Sequence, residues 1–162
     1  MKEEKKLRGF FRVNLVEDSA DGKQKIVGDS GWRENQVTNL GIQDYLVDHL
    51  IGNAGGKAVT HMALGTGGAP AAADTSLAGE ITHATNSRKT VSTSIVASKT
   101  GQFTAAFNSA DSFVTASVNI SNVGLFETST TQGGTLFAGN TYTSSSLATN
   151  QNVNVTYQIR FT

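Results

Sequence analysis

The sequence predicts a mainly β, antiparallel domain with one packed α-helix. Three observations carry that prediction. Apolar and polar residues alternate through several segments, the period of a half-buried strand. Turn chemistry recurs at the spacing expected of a sandwich or barrel. A single segment, around Leu40 to Gly52, instead places apolar residues at helical spacing. The 162 residues suit one domain spanning 1–162, since folding units run to roughly 100–200 residues.

The first strand is Leu7 to Glu17, where Leu7, Gly9, Phe11, Val13 and Leu15 alternate with Arg8, Phe10, Arg12 and Asn14. Asp21-Gly22 is a strong hairpin signal, and Gln24 to Gly28 returns as a short strand. Gly28 to Gly31 breaks it before Trp32. Thr38 or Asn39 is suited to cap a helix, and Ile42, Tyr45, Leu46, His49 and Leu50 form its apolar stripe. Gly52 supplies the left-handed residue that ends it.

Ala58 to Leu64 reads as a buried strand, followed by the loop Gly65 to Asp74, which holds the single proline, Pro70. Thr75 to Glu80 is a short turn or strand. Lys89 to Ser98 and Gln102 to Asn108 form a hairpin around Lys99-Thr100-Gly101. Val114 to Ile120, Val123 to Glu127, Thr135 to Thr141 and Val153 to Phe161 complete eight to ten strands.

Composition excludes several function classes. With no cysteine there is no disulfide, thiolate metal site or cysteine nucleophile. Thirteen basic and thirteen acidic residues give no net charge, which argues against direct nucleic-acid binding. No apolar run approaches the ~20 residues that span a bilayer, and MKEEKKLRGFF lacks the long apolar run of a signal peptide. Charge is dense up to Glu34, whereas after Lys89 only Lys99, Asp111, Glu127 and Arg160 are charged. Isolated β proteins usually guard exposed strands with charge, so this hydroxyl-rich second half is expected to be covered by other chains.

No catalytic constellation stands out, and the expectation is a protein that is not an enzyme and carries no cofactor or metal. Gly65-Thr66-Gly67-Gly68 looks like an anion-cradling loop, but Ala69-Pro70 follow where a helix would have to begin. His49, His61 and His83 match no metal spacing. Glu80 and Glu127 form a conceivable glycosidase pair only if a sugar cleft lies between them. Glu80 is expected instead to pair with Arg88 or a backbone amide.

The middle of the chain carries a family resemblance. Val37-Thr38-Asn39-Leu40-Gly41 precedes the helix. Thr60-His61-Met62-Ala63-Leu64-Gly65-Thr66-Gly67 leads to Ala69-Pro70, to Asp74-Thr75-Ser76-Leu77 and to Glu80. Ile120-Ser121-Asn122-Val123-Gly124-Leu125-Phe126 and Gly133-Gly134-Thr135-Leu136-Phe137-Ala138 come later. This order, over residues 37–140, resembles small structural proteins of tailed bacteriophages, both capsid decoration (cement) proteins and tail- or fibre-associated proteins. In that family an arginine often follows the glutamate closely; here Ile81-Thr82-His83 follow and Arg88 comes later.

The resemblance implies a β-sandwich or jelly-roll-like domain on the outer capsid surface of the virion. It implies a homotrimer that stabilises the shell by bridging neighbouring subunits of the major capsid protein, with no membrane partner. The expected interface is an N-terminal arm within residues 1–12, with Lys5, Lys6, Arg8 and Phe10, and the loop carrying Gly65, Thr66, Gly67 and Pro70. A tail-fibre, baseplate or neck component is the alternative, and a carbohydrate-binding surface module the third reading.

Overall fold

The computed structural model describes residues 6–82 and 87–162. The structure is mainly β, a nearly closed antiparallel sheet with one helix packed on it. Its strands are β1 (Leu7–Asp18), β2 (Gln24–Asp29), β3 (Arg33–Val37), β4 (His61–Gly65), β5 (Lys89–Thr90), β6 (Ser92–Ala97), β7 (Thr100–Phe107), β8 (Val118–Phe126), β9 (Ala138–Leu147) and β10 (Asn152–Phe161). The hydrogen-bonded order is β5-β4-β8-β9-β3-β1-β10-β7-β6, with β2 paired to β1.

Two devices bend this sheet almost into a ring. β3 changes partner along its length: Arg33–Asn35 pair with β1, whereas Gln36 and Val37 pair with β9. At the other seam the two ends of the path are consecutive in the chain, with only Val91 between β5 and β6. The Val91 amide donates to Thr60 O at 2.9 Å, which extends the β4–β5 pairing by one residue before β6 pairs with β7 instead.

The alternation in the sequence sets which side chains fill the ring. From β1 come Gly9, Phe11 and Val13, and from β10 Val153, Val155, Tyr157 and Ile159, all buried. Phe11 stacks on Tyr157 and meets Tyr142 edge-on, at centroid distances of 5.9 and 6.2 Å. Near the end of β1 a bulge between Leu15 and Val16 hands the inward position to Val16. Asp21-Gly22 makes the expected hairpin turn, with Gly22 at φ +76°.

The helical segment, residues 39–50, begins at Asn39–Ile42 (α1), with the Thr38 hydroxyl accepting from the Gly41 amide at 2.9 Å. It widens into a π turn over Gln43–Val47 and finishes as Asp48–Leu50 (α2). The extra residue in the π turn rotates the later side chains about the axis. The predicted stripe is therefore broken: Tyr45 is buried and Leu46 half-buried, but Ile42, His49 and Leu50 are exposed. Gly52, at φ +68°, ends the segment as expected.

Other boundaries also differ from the expectation. The two strands expected over Val114 to Glu127 are one strand, β8, with a bulge between Ile120 and Asn122. β9 begins at Ala138 rather than Thr135. β3, with the polar sequence RENQV, was not expected at all.

Candidate functional site

Successive residues of a strand face opposite sides of a sheet. In β4, Met62 and Leu64 join the main core, whereas Ala63 faces outward into a second, small cluster with Leu77, Phe126 and Leu136. Residues 65–80 fold back across the outside of β4 and β8 to make that cluster, and Gly124 leaves room for Leu77 and Leu136. Burying Leu77 and Leu136 stabilises this return by roughly 1.5–3 kcal/mol each.

Polar contacts fix the same loop. The amides of Thr66 and Gly67 donate to Gly79 O and Ala78 O at 3.0 and 3.1 Å. They are thus unavailable to cradle an anion, and the glycine-rich run is held to the turn at Ala78 and Gly79. Asn122, fully buried on β8, donates to Gly68 O at 3.1 Å and Ala78 O at 2.9 Å, and Ser121 Oγ donates to Gly67 O. A Cβ on Gly67 would lie 2.4 Å from Ala78 O, so this close approach requires glycine.

A buried ion pair closes the loop. Arg88 donates from Nε to Glu80 Oε1 at 2.6 Å and from Nη2 to Oε2 at 2.9 Å, with both side chains essentially solvent-free. The Gln132 amide also donates to Glu80, Arg88 donates to Thr128 O, and the guanidinium lies 3.6 Å above the Phe126 ring. Glu80 thus has both partners the sequence suggested, an arginine and a backbone amide.

Glu127 is committed elsewhere. It accepts from the Thr135 amide at 2.9 and 3.0 Å and from the Tyr45 hydroxyl at 2.7 Å. Burial pushes its carboxyl up, but the Thr135 amide, the Tyr45 hydroxyl and Lys57 together hold it below its ordinary value. Lys57 donates to Asp44 at 2.9 Å and to the Thr135 hydroxyl, and its pKa is raised, chiefly by Asp44. The arrangement clamps the helix to the β8–β9 connection with every polar head partnered.

The predicted interface residues fall into two separate groups. Lys5 lies outside the described residues. The Lys6 backbone exchanges hydrogen bonds with Thr162, and Arg8 and Phe10 belong to β1. Arg8 pairs with Glu34 at 2.9 Å, and Phe10 carries Arg160 4.7 Å from its ring centre. In the loop, Gly65 and Pro70 are buried and can only shape the backbone, while Thr66 is exposed and Gly67 partly so. β1 and β4 are four positions apart in the sheet order, about 19 Å measured along it. Among the histidines, His49 is exposed, His61 lies 2.8 Å from the Thr60 hydroxyl, and His83 is outside the described residues. Among the described residues no three His, Asp or Glu side chains converge as a metal site.

Sequence reasoning missed an apolar surface near the seam. Tyr45, Leu46, Val59, Phe103, Ile159 and Phe161 line an open cavity of about 350 Å³ between the helix and β7–β10. Leu50, 85% exposed, lines an adjoining hollow with Tyr45, Leu46 and Phe161, the last half exposed, and the next residue, Ile51, is 71% exposed. A second hollow, sharing Gly101 and Phe103 with the first, lies under Ile95 of β6, itself 85% exposed. Comparison of the chain with family models, with characterised proteins and with solved structures returned no match.

Proposed function

We propose that this chain is a non-enzymatic structural subunit of a tailed-phage particle, a decoration protein on the outer capsid surface. In this reading it stabilises the shell by bridging neighbouring copies of the major capsid protein, as a homotrimer. The supporting observation is the set of large apolar side chains left in water beside a well-packed core: Leu50, Ile51, Ile95, Val96 and Phe161. Leu50 and Phe161 border one hollow and Ile95 another, and apolar surface grouped in this way marks a site that another molecule covers. The phage origin and the identity of the covering chain rest on the resemblance carried by residues 37–140.

The mechanism follows from mass action. A protein that binds only the assembled shell lowers the free energy of that shell, and many small contacts on one surface act together. The loop 65–80 suits such a contact because its backbone is fixed before binding, by Asn122 and by the Glu80–Arg88 pair. In the same reading the two curved halves of the sheet, meeting at β3 and at β5–β6, are the layers of a β-sandwich of jelly-roll kind.

Binding of the purified chain to expanded capsids, followed by heating, tests the proposal. The expected result is saturable binding and a higher rupture temperature. Absence of binding with an unchanged rupture temperature removes the decoration role. A few copies per virion, counted by quantitative gel, instead of hundreds would move the chain to the tail, baseplate or neck.

A further inference from the structure

We infer that the outer edge of β6 pairs with the same edge of a second copy of this chain, antiparallel, about a two-fold axis through Ser94. This inference is independent of the virion reading. Strand β6 ends the hydrogen-bonded path, and every one of its residues is exposed. Among the described residues β7 is its only strand partner, so the outward N–H and C=O groups of β6 form an open ladder. The devices that normally blunt such an edge are sparse here. From Thr90 to Ser98 there is no charge and no proline. The single bulge, between Ile95 and Ala97, leaves Ser92 to Ile95 regular.

What selects a second copy is self-complementarity. Residues directly opposite in an antiparallel pair point to the same face. Centring the two-fold on Ser94 sets Ser94 against Ser94 and Thr93 against Ile95, all within the regular stretch. Ile95 and Thr93 lie on the face shared with Gly101 and Phe103, their partners in β7. That face holds the hollow bounded by Thr93, Ile95, Gly101 and Phe103, and nothing lies within 4 Å of where a Gly101 side chain would begin. The pairing brings the two Ile95 side chains together as diagonal neighbours over two such hollows. β6 thus supplies what its own edge lacks, an uncharged strand with a branched apolar residue on the hollow side.

Charge does not oppose the contact. The chain has no net charge, so two copies do not repel at long range. The two lysines that flank the edge lie outside the paired stretch: Lys89 is on β5, paired to β4 and bonded to Asp111 at 2.9 Å, and Lys99 is in the β6–β7 turn. One strand pairing buries well under the roughly 800 Å² per partner of a standard interface. The contact is therefore concentration-dependent in solution and strengthened where copies are held on one surface.

The test uses the full chain, and its lack of cysteine makes crosslinking clean. Sedimentation over a concentration series should show a mass that rises with concentration in the wild type but not in Ile95→Lys, which sets two like charges beside each other. On mild oxidation, Ser94→Cys should give disulfide-linked pairs in at least ten-fold higher yield than Ser92→Cys. In the proposed register the two copies of residue 92 lie about 13 Å apart along the strands, beyond disulfide reach. Circular dichroism confirms that these exposed-site variants fold. A mass indifferent to Ile95→Lys, whether monomer or trimer, overturns the inference and leaves the decoration reading standing. Equal crosslinking at 92 and 94 also overturns it. Capsid binding that fails while the Ile95-dependent pair persists removes the decoration reading alone.

Discussion

Replacing Arg88 by methionine removes the cation that holds Glu80 inside the protein. Arg88 makes two hydrogen bonds to Glu80, at 2.6 and 2.9 Å, and one to Thr128 O at 3.1 Å, while stacking on Phe126. Methionine replaces much of the stacking volume but none of the charge. Glu80 is left with the Gln132 amide alone, at 3.1 Å. Breaking a buried pair by removing one partner costs about 3–5 kcal/mol. For a chain of this length each kcal/mol lowers Tm by about 2–4 °C, so the expected fall is about 6–20 °C. Glu80→Leu is expected to cost a similar amount, because it strands the guanidinium.

The double variant separates pairing from packing. Glu80→Leu with Arg88→Met leaves no buried charge, and only Thr128 O and the Gln132 amide lose partners. It should therefore be less destabilised than the sum of the single variants, by at least about 2 kcal/mol, within the range found for directly interacting residues. Urea titrations followed by circular dichroism measure all three. An Arg88→Met cost below about 1 kcal/mol, or additive single costs, would refute the assignment of this pair as the fastening of loop 65–80.

Asn122→Ala removes the donors to Gly68 O and Ala78 O from a fully buried site. It should cost about 2 kcal/mol and make residues 65–80 the first site of limited proteolysis. Gly41→Ala would place a Cβ 2.1 Å from Phe137 O, and crowding of this kind costs roughly 1–3 kcal/mol, read as a lower Tm. Burial, and secondarily Arg88, depresses the His61 pKa below its ordinary value. The unfolded chain then binds more protons than the native one, so this contribution to stability is complete above about pH 6.5 and is lost as pH falls below it. His61→Gln should flatten that slope in urea midpoints measured from pH 8 to 5; an unchanged slope would contradict the assignment.

Much of the fold was legible because one period governs it. The alternation in β1, β7 and β10 identifies strands and the faces they bury, and Thr38 and Gly52 mark the helix limits by their own chemistry. β3 escaped because Arg33 and Glu34 are exposed and only Val37 is fully buried, so its strand character comes from the neighbours on either side. The helical stripe misled because a π turn changes the residues per turn, and no local residue type announces that. For the candidate site, the Glu80–Arg88 pairing could be anticipated from scarce opposite charges near each other in sequence. The packing of Leu77 against Phe126 could not, since it depends on the chain folding back over β8. Nor could the exposure of Ile95: periodicity tells which face a residue joins, but not whether anything covers that face.

Hydrogen–deuterium exchange of the chain free and mounted on intact particles tests the proposed role most directly. Burial by neighbours predicts slower exchange on the particle at β6, Ser92–Ala97, and around Leu50 and Ile51, with the interior strands β1 and β10 unchanged. Identical exchange in the two states, at those segments and everywhere else, would contradict the account.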